Sequence, residues 1–392
     1  MNTLSDSFSR DFHIGAYFLQ PNARTEAHIK DMEACGIDLV FGMDCDTATL
    51  DLFYKHNIFA VVSDVVPGWF GGDGDNAGTM SQTNKKDRYI QGITAFRDHP
   101  AIIGIDMGDE PSSVDFPYYG QMIALMKELL PSKFLYLNIY PSYGMLATND
   151  SVQTEKELGV PSYREYIESY CKNIDLPYLS FDHYAYTSSV DRLLGDLETA
   201  ASCCKAYDKK LFVVMQVNSR EDDVFISEEQ LCFQAFSALA FGASAVSWAC
   251  YSAGWWYNQV LDLDGNKTQQ YEKLKKVNHK LRSLAAEYIQ YQWTSTESIR
   301  CGDVAEFDVF KSITCSQDAL LGKFEKGDGE KAIFFSWLDY QNAVGGTLCF
   351  ALDDGKRAYL CKPDDKKKLV PDTDGFYRVA LNGLEAGFIT VD

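Results

Sequence analysis

Short apolar runs alternate with helix-length amphipathic stretches through the first two thirds of the chain. Most of the runs are apolar throughout and rich in β-branched and aromatic residues, which is typical of strands buried on both faces of a parallel sheet. The eight runs are FHIGAYFL (12–19), GIDLVFGM (36–43), IFAVVSDV (58–65), AIIGIDMG (101–108), FLYLNIY (134–140), YLSFDHYAY (178–186), KLFVVMQV (210–217) and ASAVSWACY (243–251).

Helical segments fill the intervals, and one carries a clear start signal. Ser227, followed by Glu229 and Gln230, is placed to cap the helix before the eighth run. Eight strand–helix units in about 290 residues predict an α/β fold, a (β/α)8 TIM barrel. A doubly wound open sheet is the alternative, but it usually has fewer strands, and the chain shows no Gly-rich phosphate loop of the kind that fold uses.

The pattern changes after the eighth helix, which is expected at about 268–289. Short strand patterns separated by turns then follow, and the final segment FYRVALNGLEAGFITVD alternates like two edge strands. These features predict a small antiparallel β-sandwich. The expected domains are therefore a catalytic barrel over 1–290 and a C-terminal sandwich over 295–392.

The net charge and the cysteine pattern indicate which binding partners and which cellular compartment to expect. The chain has 56 acidic and 36 basic side chains and a net charge of −20, so it repels phosphate backbones and anionic lipids. We therefore expect no nucleic-acid partner and no membrane association. The odd number of cysteines, 11, shows no paired spacing, and the N-terminus lacks a signal-peptide pattern, which favours the reducing cytoplasm.

The sequence also predicts no cofactor and no metal centre. Its six histidines are dispersed, and neither HxH nor HExxH occurs. The oligomeric state is left open by the sequence.

In a TIM barrel the active site lies at the carboxyl ends of the strands, so the polar residues that follow each run form the candidate site. They are carboxylates, amides, tyrosines, tryptophans and one histidine. The substrate-binding candidates are Gln20, Asp44, Asp64, Trp69, Asn138, Tyr140, Asp182, His183, Tyr184, Tyr186, Gln216, Trp248, Tyr251 and Trp256.

Such a set suits a neutral polyhydroxylated ligand, because sugars offer hydroxyls to polar groups and C–H faces to aromatic rings. The predicted partner is therefore a small oligosaccharide or glycoside. Two simpler interpretations stay open. Barrels place polar residues at strand ends in any case, and His183 could be a structural histidine beside Asp182.

The segment GIDMGDEPS (104–112) is the sharpest motif, because an apolar strand runs directly into adjacent carboxylates and a proline then stops it. It resembles the fourth-strand signature of the clan A retaining glycosidases, in which Asn-Glu or Asp-Glu, often followed by Pro, supplies the general acid/base. The resemblance covers the barrel and the appended sandwich, and it implies that role for Glu110. One departure matters: the clan carries its nucleophilic Glu at the end of strand seven, where this chain has Gln216.

Substrate-assisted β-N-acetylhexosaminidases need no such Glu, because the 2-acetamido oxygen of the substrate is the nucleophile. Several of these families, which include the β-N-acetylgalactosaminidases, end strand four in an adjacent Asp-Glu pair, and the chain resembles them at Asp109-Glu110. The resemblance implies an exo-acting enzyme of this class, with N-acetylgalactosaminides favoured. Glu110 would be the general acid, and Asp109 would orient the acetamide or else bind a sugar hydroxyl. Tyr184 or Tyr186 could donate to the acetamide oxygen.

Asp109 and Glu110 can reach one pocket only if the strand end turns, since successive side chains of a strand point to opposite faces. Gly108 and Pro111 flank the pair and are suited to such a turn. Two carboxyls this close cannot both ionise easily, so one pKa should rise, and we assign the raised pKa to Glu110.

Two other functions stay open from the sequence. The first is a β-galactosidase-like retaining glycosidase whose nucleophile is a loop carboxylate, Glu221 or Asp222. The second is a sugar-binding barrel without activity, which has lost its nucleophile. The intact Asp109-Glu110 pair argues against the second, because a binding protein has no need of a general acid.

Overall fold

A computed structural model describes residues 11–68, 74–144, 150–362 and 365–392. Its first eight strands are parallel and close into a barrel in chain order, which confirms the TIM barrel. They are β1 (His13–Tyr17), β2 (Leu39–Met43), β3 (Phe59–Val62), β4 (Ile102–Asp109), β5 (Phe134–Ile139), β6 (Tyr178–His183), β7 (Lys210–Gln216) and β8 (Ala243–Ala249).

Ten α-helices are found in the described part of the chain, and the predicted cap of one is present. Ser227 caps α9, accepting from the backbone N–H of Gln230, whose side chain in turn accepts from the Ser227 N–H. The helices are α1 (Glu26–Ala34), α2 (Thr47–Lys55), α3 (Met80–Thr83), α4 (Lys86–Ala95), α5 (Phe116–Leu129), α6 (Ser151–Leu158), α7 (Tyr163–Asn173), α8 (Val190–Ala206), α9 (Glu228–Ala240) and α10 (Gln269–Tyr288).

Aromatic side chains fill the barrel interior. The Phe41 ring stacks on Tyr17 at 5.0 Å and lies 4.5 Å from Tyr136. Gly15 makes room for this packing, because a Cβ there would lie 2.7 Å from the Phe41 ring. These contacts identify the inward-facing positions of β1, β2 and β5, and strand alternation then assigns the outward-facing ones.

Two antiparallel sheets follow the barrel, which confirms the predicted sandwich. Their strands are β9 (Gln292–Ile299), β10 (Ala305–Phe307), β11 (Phe310–Cys315), β12 (Ala319–Glu325), β13 (Lys331–Trp337), β14 (Gly346–Leu352), β15 (Ala358–Lys362), β16 (Asp365–Lys368), β17 (Tyr377–Leu381) and β18 (Gly387–Val391). The sheet orders are β10-β11-β14-β17 and β16-β15-β18-β13-β12-β9.

The structure confirms only one of the two edge strands that the sequence predicts for the final segment. β17 is an edge strand, as its alternation predicts, but β18 lies inside the larger sheet between β13 and β15. All five residues of β18 are buried, so a strand covered on both faces ends the chain.

Residue contacts group the chain into two compact units. One is built mainly from His13–Phe225 and Ala245–Glu272, and the other mainly from Ile226–Ser244 and Lys273–Asp392. Helices α9 and α10 thus group with the sandwich by contact, and a domain boundary at 290–295 stays a prediction. Among the helices in the described ranges, none is long and apolar enough to cross a bilayer. All eleven cysteines are free thiols, and most of them are buried.

Candidate active site

The end of β4 departs from regular strand geometry where the motif begins. The pairing with β5 shifts register between Asp106 and Asp109, Gly108 has φ +140°, and Glu110 is left-handed with φ +46°. The Glu110 N–H donates to the Asn138 carbonyl at 3.0 Å, which holds the turn against β5. Because this turn breaks strand alternation, the two consecutive carboxyls of Asp109 and Glu110 lie at the same mouth of the barrel.

Asp182, at the end of β6, adds a third carboxyl. The charge of Asp182 raises the pKa of Glu110 and of Tyr184, so both side chains lie near it. The Asn138 Nδ2 donates to Asp182 Oδ1 at 2.9 Å and to Asp109 Oδ1 at 3.2 Å. Two carboxyls, those of Asp109 and Asp182, therefore share one amide, and Glu110 lies within electrostatic reach of both.

This crowding determines the charge state of the site. Burial is the largest cause raising the pKa of Asp109, Glu110 and Asp182, and for Asp109 and Glu110 the neighbouring carboxyl charges raise it further. The hydrogen bond from Asn138 partly opposes the rise for Asp182, whose pKa is raised to about 6. Asp182 therefore ionises more readily than Glu110.

A chain of hydroxyl groups fixes the orientation of the Asn138 amide. Tyr17 donates to the Tyr136 hydroxyl at 2.5 Å, Tyr136 and Ser180 share a bond of 2.9 Å, and Ser180 Oγ donates to Asn138 Oδ1 at 3.0 Å. Since the amide oxygen is held by Ser180, the NH2 group must face the carboxyls. Ser180 thus stabilises the ionised forms of Asp109 and Asp182 through Asn138.

Replacement of Ser180 by Ala should narrow the pH range of activity from its acid side. Without the Ser180 donor the Asn138 amide is free to turn, so the carboxylates lose stabilisation and their pKa values rise. The ionised form required for activity is present only above this pKa, and the acid limb of kcat/KM should move up by about half to one pH unit.

Ser247→Ala is a matched control. Ser247 is buried and faces the barrel interior against Gly15, and its hydroxyl has no hydrogen-bond partner among the described residues. It should leave the pH–rate profile unchanged. An unaltered acid limb in Ser180→Ala, measured alongside, would contradict the positioning role.

Several predicted residues do surround the carboxyls. Tyr140 is buried, and its pKa is raised by burial and by the neighbouring Glu110. The Tyr184 ring packs edge-on against Trp256 at 4.9 Å, which places this tryptophan at the mouth. With Asn138 and Asp182, these residues form the described wall of the site.

Three of the predicted binding residues point away from the mouth. Ser180 and Asp182 face inward, so alternation turns His183 outward, where its Nε2 lies 3.5 Å from Asp196 Oδ2. Burial lowers the pKa of His183 to about 3, so the ring is neutral. His183 therefore lies on the outer side of β6, and the carboxyl next to it is that of Asp196 rather than Asp182.

Trp248 and Tyr251 also lie away from the mouth. Ser247 faces the interior, so its fully buried neighbour Trp248 lies on the outer face of β8. Tyr251 is buried near Cys35 and Tyr271, on the helix side of the barrel. A count of aromatic residues in the eighth run cannot tell which face each one occupies.

Gln216 is buried at the end of β7, and its amide is used within the protein. Its Oε1 accepts from the Tyr186 N–H at 2.9 Å, and its Nε2 donates to Thr187 Oγ1 and the Asn218 carbonyl. Gln216 and Tyr186 thus tie the loop after β6 to β7. Gln20 lies near Gly254 in the loop after β8. Their contact with a ligand stays a prediction.

Two predicted carboxylates lie in another groove. Asp44 and Asp64 line a cavity of about 420 Å³ together with Arg97, and the carboxyls of β4 are not part of its lining. Asp44 is also held by Arg24 at 2.8 Å. Trp69 falls outside the described residues.

The loop carboxylates Glu221 and Asp222 are exposed. Their backbone carbonyls accept from the Asn258 side chain at 3.3 and 3.0 Å, which fixes the loop in place. Neither has the burial that perturbs Asp109 and Glu110.

Sequence reasoning missed two carboxyls, the half-buried Asp106 and the buried Glu157. Asp106 pairs with Tyr136 across β4 and β5, and burial raises its pKa to about 7. Glu157, on α6, is buried, packs against Gly144 and raises the pKa of Glu110 by its charge. Asp106 interrupts an apolar strand, which is a signal that could have been used, whereas Glu157 sits in a helix with an ordinary surface pattern.

No family model matches the sequence, and no curated protein matches it closely enough to count as a relative. Solved structures match it at low identity. A cycloisomaltooligosaccharide glucanotransferase from Paenibacillus sp., complexed with cycloisomaltoheptaose, is 10% identical with a TM-score of 0.56, covering 98% of this chain and 85% of that one. An α-amylase from Geobacillus thermoleovorans, complexed with acarbose, is 11% identical with a TM-score of 0.52 (98% and 99% covered).

A glycoside hydrolase of family 5 from Bacteroides vulgatus is 8% identical with a TM-score of 0.54, and the match covers 97% of this chain and 89% of that one. At these identities the likeness is one of fold. The chain has the architecture of a TIM barrel followed by a β-sandwich, as in proteins that act on glycosides.

Proposed function

We propose that the protein is an exo-acting glycoside hydrolase that cleaves β-N-acetylhexosaminides, N-acetylgalactosaminides foremost, by a substrate-assisted retaining mechanism. The observation that carries this proposal is the carboxyl cluster at the barrel mouth. Glu110 lies within electrostatic reach of Asp109 and Asp182, while the end of β7 carries Gln216 in place of a carboxylate.

The residue at the end of β7 argues against the usual two-carboxylate retaining mechanism. That mechanism uses a second carboxylate as its nucleophile, which the clan A glycosidases carry at the end of strand seven. This chain has Gln216 there, and its amide is bonded to Tyr186 and Thr187. A nucleophile supplied by the substrate removes the need for a carboxylate at this position.

We assign one role to each of these residues. Glu110 in its acid form, which its raised pKa favours, gives its proton to the leaving oxygen as the acetamide oxygen attacks the anomeric carbon and the glycosidic bond breaks. Asp109 accepts the acetamide N–H and stabilises the developing oxazolinium charge, and Tyr184 donates to the acetamide oxygen. Water then opens the intermediate, with the deprotonated Glu110 as its base.

The two competing functions have less support. Glu221 and Asp222 are exposed on a fixed loop, so a nucleophilic role for either requires that loop to move. A raised carboxyl pKa, such as that of Glu110, is typical of a catalytic acid, and a binding protein without activity has no need of one. The negative charge and free thiols support a cytoplasmic enzyme that acts on small glycosides.

Hydrolysis of a panel of aryl β-glycosides should distinguish these functions. We expect turnover of the N-acetylgalactosaminide, and less of the N-acetylglucosaminide, with none of the galactoside. Galactoside turnover would support the retaining enzyme with a loop nucleophile. Sugar binding measured by calorimetry, with no turnover of any member, would support the binding barrel.

A further inference from the structure

Arg220 is an exposed cation at the mouth of the barrel, in a chain that is strongly acidic. The guanidinium of Arg220 lies over the Trp256 ring, with Cζ 4.9 Å from the ring centroid. Arg220 is exposed, and no carboxylate in the described ranges forms an ion pair with it, although three acidic residues follow it directly in the sequence. Its N–H donors are therefore directed to solvent.

Arg220 lies a short distance from the carboxyl cluster. Trp256, beneath the guanidinium, packs against the Tyr184 ring at 4.9 Å, and the charge of Asp182 acts on Tyr184. Two aromatic rings thus separate Arg220 from the proposed site of cleavage. Arg220 is therefore placed to meet the leaving portion of a substrate rather than the cleaved sugar itself.

The loops that carry the pair are held together. Ser219 and Tyr257 exchange backbone hydrogen bonds of 2.9 and 2.7 Å, and Asn258 Nδ2 donates to the Val224 carbonyl at 2.6 Å. Arg220 and Trp256 are neighbours of these residues, so their stacking is set before any ligand arrives. A group fixed in this way binds with a smaller loss of conformational entropy.

We propose that Arg220 and Trp256 form a subsite for an anionic group on the leaving portion of the substrate. The guanidinium of Arg220 has no carboxylate partner in the described ranges, so its N–H donors can meet a carboxylate in a two-pronged hydrogen bond. The ring of Trp256 offers an apolar surface to the group that bears the charge. Because the chain carries a net charge of −20, an anionic substrate needs such a local cation to approach.

This inference rests on the proposed glycosidase activity and is tested with matched substrates. For each sugar of the panel, two aryl glycosides are compared, one with a meta-carboxylate on the aryl ring and one with the meta-carboxamide. We expect the wild-type protein to prefer the carboxylate by about tenfold or more in kcat/KM, after correction for leaving-group acidity. The preference should weaken as salt is added.

Arg220→Met should abolish the preference, so that the two substrates are turned over equally, and Arg220→Lys should retain part of it. Arg300→Met, which removes another exposed arginine, is the control and should keep the full preference. Equal turnover of both substrates by the wild-type protein, or an undiminished preference in Arg220→Met, would overturn the anionic subsite while the glycosidase stands. If no glycoside is hydrolysed, both proposals fail.

Discussion

Glu110→Gln should reduce the hydrolysis of substrates with poor leaving groups by roughly 10²- to 10⁴-fold, the range that general acid catalysis supplies. The amide keeps the size of the carboxyl, but it has no acidic proton to give to the leaving oxygen. Activated aryl glycosides need little protonation, so their turnover should fall much less. Steady-state kinetics over a series of leaving groups of different pKa gives the measurement.

The pH profile adds a second test of the same residue. Burial and the charge of Asp182 raise the pKa of Glu110, so its acid form, and with it the activity, is present below that pKa and is lost as the pH rises through it. In Glu110→Gln this alkaline limb should disappear. Glu221→Gln, in the exposed loop, serves as the control and should keep the wild-type profile. An equal loss for good and poor leaving groups would instead indicate that Glu110 matters chiefly as the base of the second step.

The barrel could be predicted because its strands leave a strong pattern. Few folds other than a barrel accommodate eight continuous apolar runs at regular intervals. Active sites lie at the carboxyl ends of barrel strands, and this rule identifies Asp109, Glu110, Asn138 and Asp182. The structure brings these four side chains together. The turn at the end of β4 could also be predicted from the sequence, because Gly108 allows the backbone conformation that brings two consecutive carboxyls to the same mouth.

The sequence could not predict in the same way which side chains at the strand ends face the mouth of the barrel. His183, Trp248 and Tyr251 lie in runs that are buried on both faces, so the sequence shows no alternation from which to tell the mouth from the helix layer. Glu157 reaches Glu110 from α6 through tertiary packing. β18 looks like an edge strand by its pattern but is interior, because both of its neighbours come from distant parts of the chain.

The second large effect concerns the nucleophile. If the acetamide of the substrate attacks, a thiazoline mimic of the cyclic intermediate should inhibit strongly, since it resembles the species that the site stabilises. Asp109→Asn should lower kcat by about 10²-fold or more, because an amide stabilises the developing positive charge poorly. Gln216→Ala should be milder, since Gln216 acts by holding the loop of Tyr186.

The rival mechanism predicts the opposite set of results. A retaining enzyme with a loop nucleophile should be trapped covalently by a 2-fluoro sugar, and peptide mapping should then find the label on Glu221 or Asp222. The structure argues against this, because those side chains are exposed, whereas the carboxyls that share the Asn138 amide are buried or half-buried. A label on any carboxylate between 219 and 228, together with weak thiazoline inhibition, would rule out the substrate-assisted mechanism. A label on Glu157 would do the same and would assign the nucleophile to the buried carboxyl that α6 contributes.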